Sequence, residues 1–237
     1  MARLNISEKL HKDLKRLIEN TPPDERLPAE PALAVRLSVS RATLREAMRT
    51  FETKGLIRRK QGSGTFINHP PDTIESGLEI LESIETLAKR KNIPVDMGDS
   101  RITYRQPTDD EQRILDISHE TQVIEISRVI NAEGRPAAYL IDILPENILP
   151  NKSFVENFSG SVLDLLLKRK SLHLGIARTE INAVTAETMI ARALGIQRGD
   201  VLLRFKSYLY SDNQVINYSY SYFLPGCFRF HIKRLVG

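Results

Sequence analysis

Three arginines spaced by four, Arg41, Arg45 and Arg49, recur within one stretch of the chain. On a helix that spacing gathers them on one face. A guanidinium fork there can bond a guanine edge in the major groove or neutralise a phosphate. Soon after come Arg58, Arg59 and Lys60, followed by Gln61-Gly62-Ser63-Gly64. A cationic run leading to a glycine-rich tip suits a nucleic-acid backbone, because glycine allows close approach. Much further along, Asp142 stands among Leu140, Ile141, Ile143 and Leu144. It is either a polar contact for a bound molecule or a carboxylate paired with Lys or Arg. Tyr218, Tyr220 and Tyr222 alternate with Asn217, Ser219 and Ser221, as on the two faces of a strand. The tyrosine stripe is either sheet packing or a ligand wall.

Catalytic chemistry finds no comparable pattern. His11, His69, His119, His173 and His231 are scattered, without metal-ligand spacing. No nucleophile elbow, phosphate-binding loop or dinucleotide fingerprint occurs. Cys227 follows Pro225-Gly226 with no sequence-local base, as a packed or idle thiol would. The expectation is a chain with no catalytic residue, no cofactor and no metal.

The 237 residues are 41% hydrophobic and 27% charged, a globular balance of one large or two modest domains. No apolar run reaches the ~18 residues of a membrane helix, and no secretory signal is visible. One cysteine excludes an intrachain disulfide framework and suits a reducing cytoplasm. Residues 1–68 carry 14 Lys and Arg against 8 Asp and Glu, a net of +6, while the remainder carries 20 against 22, a net of −2. A basic end on a faintly acidic body fits a chain that meets a polyanion at that end only.

The elements that must position these groups can be read in order. Leu10, Leu14, Leu17 and Ile18 form a helical stripe over Ile6 to Asn20, stopped by Thr21-Pro22-Pro23-Asp24. A short helix from Glu30 to Leu37 has Pro31 in its first turn, where a missing N–H costs little. Ser40 is placed to cap a third helix, Arg41 to Lys54, with the apolar stripe Leu44, Ala47, Met48, Phe51 and with Gly55 as its stop. Two short β-type runs then flank the Gly62 tip as a hairpin. Three helices and a basic hairpin make a winged helix-turn-helix, whose third helix enters the major groove.

These residues carry a family resemblance. The run Leu27-Pro28-Ala29-Glu30, Leu33-Ala34, Leu37 to Arg45, Glu52, Gly55-Leu56-Ile57 and Gln61 to Phe66 resembles the GntR superfamily of bacterial transcription regulators over residues 4–68. The resemblance implies DNA contacts by Ser40, Arg41, Thr43 and Arg45 on the third helix and by Gln61 and Gly62 at the wing tip. Arg49 and Lys60 join them as candidate phosphate contacts. Ala29 and Pro31 stand where the family often has Ser and Arg. The first weakens a helix cap and the second removes a cation that would reach DNA.

Asn68-His69-Pro70-Pro71-Asp72 is a Pro-rich break. The expected division is a DNA-binding domain over 1–68, a linker over 69–74 and a body over 75–237. A helix is expected from Glu75 to Lys91, with Leu78, Leu81, Ile84, Leu87 and Ala88 available for burial. The body contains an internal repeat at an offset of 79 positions: Leu115-Asp116-Ile117 recurs as Leu194-Gly195-Ile196, Val123 as Leu202, Tyr139 as Tyr218, and the turn Ala132-Glu133-Gly134 as Ser211-Asp212-Asn213. Each copy reads strand, short helix, strand, turn, strand. Thr108 with Glu111 is a capping box for the first helix, and Thr185 is expected to open a second, slightly longer one. Between the copies, Ser161 caps a helix to Lys170 that buries Leu163, Leu166 and Leu167. Such a chain is α+β, with an antiparallel sheet and helices on one of its faces.

This half resembles the UTRA effector-binding domain of the HutC-type branch, which has a chorismate-lyase-like fold. The resemblance rests on Val123 to Arg128, Gly134-Arg135-Pro136, Pro145, Phe158 to Ser161 and Asn217 to Ser221. It implies a small molecule between sheet and helices that alters operator affinity. Arg128 matches an arginine that meets a ligand anion, or is a structural ion-pair partner. Ser161 matches a helix start that offers hydroxyl and N–H groups to an anion. Ile130 and Leu140 replace a second common arginine and a common glutamate, which argues against a plain amino-sugar phosphate. The candidate effector contacts are Arg128, Tyr139, Asp142, Ser161, Tyr218 and Tyr220.

The expected function is a cytoplasmic, ligand-responsive repressor, a homodimer on a palindromic operator in double-stranded DNA. Its effector would be a small molecule with an anionic group, and it would have no membrane partner. The competing reading is a lyase-like enzyme with a basic tether.

Overall fold

The computed structural model describes residues 6–22, 24–53, 56–60, 63–67, 74–149 and 158–235. The chain divides into two compact units, Met1–Thr73 and Ile74–Gly237.

In the first unit, α1 (Ile6–Glu19), α2 (Glu30–Arg36) and α3 (Arg41–Thr53) precede a hairpin of β1 (Ile57–Lys60) and β2 (Gly64–Ile67). The helical stripes read from the sequence supply its core: Leu10, Leu14 and Ile18 of α1, Leu33 and Ala34 of α2, and Leu44, Ala47, Met48 and Phe51 of α3, closed by Ile57 and Ile67. Ala29 gives α2 no side-chain cap, and Pro31 occupies the first turn. The chain before α2 lines the wing: the Leu27 amide donates to the Thr65 carbonyl at 2.8 Å and the Ile67 amide to the Glu25 carbonyl at 2.8 Å. The wing is thereby tied, at Thr65 and Ile67 of β2, to the segment between α1 and α2.

The second unit is built on a six-stranded antiparallel sheet, in the order β4 (Val95–Arg105), β5 (Val123–Ala132), β6 (Arg135–Pro145), β9 (Gln214–Phe223), β8 (Val201–Ser211), β7 (Leu174–Thr185). Its first copy runs β4, α5 (Asp109–Leu115), β5, β6. After α6 (Val162–Leu167) the second runs β7, α7 (Thr188–Leu194), β8, β9. Each β5–β6 and β8–β9 turn has two successive residues of positive φ, Glu133 with Gly134 and Asp212 with Asn213, as a tight hairpin requires. Ile141 pairs with Tyr220, and the repeat offset carries Ile141 onto Tyr220 itself, so a pseudo-two-fold axis passes through that pair. The capping box at Thr108 is fully formed.

Several expectations are corrected. Helices cover both faces of the sheet, not one: α5 and α7 pack with Val123, Val129, Tyr139, Ile143 and Leu202, while α4 (Ile84–Arg90) and α6 pack with Ile124, Ile126, Ile130, Leu140 and Leu144. Both sides of β5 and β6 are apolar, so each strand needs a cover on each side. No helix begins at Glu75. Ile74–Gly77 is a strand, β3, parallel to β10 (Phe228–His231), with Ile74 fully buried. The helix starts only at Ile84, where Ser83 Oγ accepts the Thr86 amide at 3.0 Å, and Leu78 and Leu81 stay exposed. Thr185 ends β7 rather than opening a helix. Glu187 precedes α7 without a side-chain cap, and α7 matches α5 at 7 residues. Ser161 does cap α6, but that helix stops at Leu167, which is 57% exposed. Among the described residues, no helix is long and apolar enough to cross a membrane.

Candidate DNA-reading face and effector site

The buried stripe of α3 turns Leu44, Ala47 and Met48 inward and leaves Arg41, Arg45 and Arg49 exposed. The helix start is held by Ser40, whose Oγ accepts the Thr43 amide at 3.1 Å and lies 2.7 Å from Thr43 Oγ1. Both hydroxyls therefore sit together at the positive end of α3, next to Arg41. Arg41 pairs with none of the described residues. Arg45 Nε instead donates to Glu30 Oε2 at 2.6 Å. Glu30 also lies 3.9 Å from Arg59, which Glu52 approaches at 3.5 Å. Arg58 is bound to Asp24 at 2.9 Å. Two of the three cations before the wing tip are thus engaged inside the unit. The side chain of Lys60, and Gln61 and Gly62, lie outside the described residues. Sequence reasoning quoted Glu30 as part of a motif and missed its part here, which is to splint the Arg45 guanidinium.

In the second unit the sheet face under α4 and α6 carries a polar strip between two apolar clusters. Arg128 on β5 is 3% exposed, Asp142 on β6 7% and Asn217 on β9 5%. Arg128 Nη1 stands 3.3 Å from Asp142 Oδ2, and Asn217 Nδ2 donates to Asp142 Oδ1 at 2.9 Å. The strip continues outward through Ser219, opposite Asp142, to Ser207 and Thr179, whose hydroxyls lie 3.0 Å apart. Phe158 brings its ring centroid to 6.0 Å from the Arg128 guanidinium carbon, within cation–π range. Ser161 caps α6 through the Asp164 amide at 3.1 Å, and Ser83 Oγ donates to Asp164 Oδ2 at 2.8 Å, linking α4 to α6.

Several buried polar atoms around Arg128 are unsatisfied. Arg128 Nε and Nη1, Asn217 Oδ1 and both carboxylate oxygens of Glu85 have no hydrogen-bond partner among the described residues. Burial lifts the Glu85 carboxyl above its ordinary 4.5. Asp164 and Asp142 push the same way, while its own backbone amide and Arg128 pull against it. Sequence reasoning missed Glu85 and Asn217. The first fell outside the apolar stripe of its helix, and the second served as part of a resemblance motif and as the polar side of an alternating strand, without a role at the site.

The six candidate effector contacts divide between two faces. Arg128, Asp142 and Ser161 belong to the strip under α4 and α6. Tyr139, Tyr218 and Tyr220 lie on the opposite face with α5 and α7, because residues of opposite parity on one strand cannot share a side. Tyr218 and Tyr220 bond each other through their hydroxyls. Lys206 Nζ sits 5.5 Å from the rings of both Tyr208 and Tyr218, so the stripe packs against its own cation. On the described residues no group of His, Cys, Asp and Glu could hold a metal ion. Burial pushes the Cys227 thiol up to about 11, which leaves little thiolate at neutral pH.

Glu85 gives a test of this electrostatic description. A carboxyl raised in the folded state keeps a proton that the unfolded chain releases above 4.5. Stability from this group is therefore full below 4.5 and lost as pH rises through the folded value. Glu85→Gln removes that loss. At pH 7.5 it is expected to stabilise the second unit by about 1 kcal/mol, a Tm gain of about 2–4 °C, with the gain shrinking toward pH 4.5. Paired thermal melts across this range check it; a pH-independent difference would contradict the assignment.

Comparison with known proteins agrees with both halves. Residues 5–67 match the model of the bacterial regulatory proteins, gntR family, and residues 100–229 match the UTRA domain. The HTH-type transcriptional repressor NagR of Bacillus subtilis is 30% identical over 213 residues, covering 88% of this chain and 85% of that protein. The HTH-type transcriptional regulator GmuR of the same organism is 23% identical, covering 92% and 93%. The crystal structure of PhnF from Mycobacterium smegmatis superposes with a TM-score of 0.64 at 18% identity, over 96% of this chain and all of that one. At that identity the superposition speaks for the fold. NagR and GmuR are transcriptional regulators, and with the gntR-family match this sets aside the lyase-like enzyme with a basic tether. A helix-turn-helix unit with an arginine-bearing third helix, joined to an effector-binding sheet, identifies the chain as a member of the GntR family with a UTRA domain, a ligand-responsive DNA-binding regulator of transcription.

Proposed function

We propose that this regulator is a cytoplasmic repressor that binds a palindromic operator as a homodimer and leaves it when a small molecule with an anionic group occupies the strip at Arg128. The observation that carries the DNA half is α3: its buried stripe fixes it to the core while Arg41 and Arg45 stand outward near its start. Arg41 and Arg45 read base edges. Ser40, Thr43 and Arg49 meet the backbone near the helix start and its exposed side, and Lys60, Gln61 and Gly62 do so from the wing. Arg128, with Asp142 and Ser161, holds the effector. Tyr139, Tyr218 and Tyr220 take no part in that site. Effector binding must favour one arrangement of the dimer over another, since only differential affinity shifts an equilibrium.

Selection from a random DNA pool by the full chain tests this reading. The expected product is an inverted repeat with half-sites about one helical turn apart, bound in excess competitor DNA, with affinity falling steeply as salt rises. Enrichment of single, unrepeated half-sites would refute the dimer. No enrichment over competitor would refute sequence-specific reading.

A further inference from the structure

Among the described residues, the strip around Arg128 is short of positive charge. Its one guanidinium is paired with Asp142 on β6, while Glu85 on α4, which also feels Arg128, has Asp142 and Asp164 of α6 as like-charged neighbours. Asp142 has Arg128 and Asn217, and Asp164 has Ser83. Glu85 has no cation at contact distance, and beyond the pull of its own backbone amide its two carboxylate oxygens meet no hydrogen-bond donor among the described residues. The unsatisfied atoms are of both kinds. Arg128 Nε and Nη1 are donors in want of acceptors, and Glu85 Oε1 and Oε2 with Asn217 Oδ1 are acceptors in want of donors.

A ligand bearing only an oxyanion would answer Arg128. It would leave three buried acceptors unpaired and add negative charge beside Glu85, Asp142 and Asp164, which costs both desolvation and repulsion. A neutral polyol could bond both kinds of atom but would leave the charge imbalance. Resting on the effector reading above, we infer that the effector is a zwitterion, whose oxyanion meets Arg128 and whose protonated amine is held by the Glu85 carboxylate with Asn217 Oδ1 as a second acceptor. The amine supplies the missing cation and the missing donors together, and a charge-assisted bond to a buried carboxylate is among the stronger kinds. The Phe158 ring beside Arg128 gives the ligand an aromatic wall at the same place. The raised carboxyl of Glu85 agrees with an acid that lacks its counter-ion when the site is empty.

Two matched sets of small compounds separate the alternatives by calorimetry on the full chain: phosphoethanolamine, 2-hydroxyethyl phosphate and ethyl phosphate; and 4-aminobutyrate, 4-hydroxybutyrate and butyrate. The expected result is that the amine in at least one set binds about tenfold or more tightly than its hydroxyl and unsubstituted mates. That preference should collapse in Glu85→Gln, whose folding is checked by its melt. Equal binding within both sets, lost in Arg128→Gln, would overturn the ammonium assignment and leave the effector site standing. An amine preference unchanged in Glu85→Gln would overturn the role of Glu85. Binding by no compound in either set would overturn the zwitterion inference. Binding that survives Arg128→Gln in full would instead overturn the effector reading on which it rests.

Discussion

Arg128→Ala is expected to destabilise the second unit by about 3–5 kcal/mol, because it strands a buried carboxylate whose partner has been removed. Asp142 would keep only the amide of Asn217, with Glu85 and Asp164 adding like charge nearby. Loss of packing against Phe158 adds to the cost. The single variant alone cannot separate a structural arginine from one that binds a ligand. The double variant Arg128→Met/Asp142→Leu does so, since replacing both members of a buried ion pair with apolar groups of similar volume is often neutral. It is expected to recover most of the lost stability by thermal or urea melts and still to show no effector response in operator binding. A single variant within about 1 kcal/mol of the parent would show that the pair is not buried as described. A double variant that still responds to effector would remove Arg128 from the site.

Arg41→Ala is expected to weaken operator binding by about 1–3 kcal/mol, roughly fivefold to 150-fold, and to relax selectivity at one base pair of each half-site. Its side chain is exposed and pairs with none of the described residues, so the folded protein should lose nothing measurable in its melt. Arg45 provides the contrast. It is splinted by Glu30, so Glu30→Ala should reduce selectivity at the Arg45 position while leaving the arginine in place. Phosphate contacts behave differently, since their removal lowers affinity on all sequences and flattens the salt dependence. Competition binding on a panel of single-base operator variants distinguishes the two patterns. A uniform loss in Arg41→Ala would make it a phosphate contact.

Much of this was legible in the residues. Helical stripes at Leu10, Leu14 and Ile18, or Leu44, Ala47, Met48 and Phe51, are statements about one face of a helix, and a face is a local property. The capping box at Thr108 and the cap at Ser40 are equally local. The repeat at 79 positions specifies two equivalent strand-helix-strand-strand units. Errors arose where a partner distant in sequence decides. The stripe Leu78, Leu81, Ile84, Leu87 and Ala88 has helical spacing and drew the expected helix back to Glu75, yet residues 74–77 pair with Phe228–His231, a choice that no window of sequence around Ile74 contains.

The sequence by itself determined most of the elements, the basic charge of the N-terminal third and the identity of α3 as the helix bearing the arginines. These follow from periodicity, caps and charge, which act over a few residues. Only the tertiary structure decided which polar groups meet. It brought Arg128, Asp142 and Asn217 from three strands, with Glu85 from a helix well before them, to one buried strip, and sent Tyr139, Tyr218 and Tyr220 to the other side. Strand order and sheet parity set those meetings, and the free energy of a buried charge depends on its neighbours in space rather than along the chain.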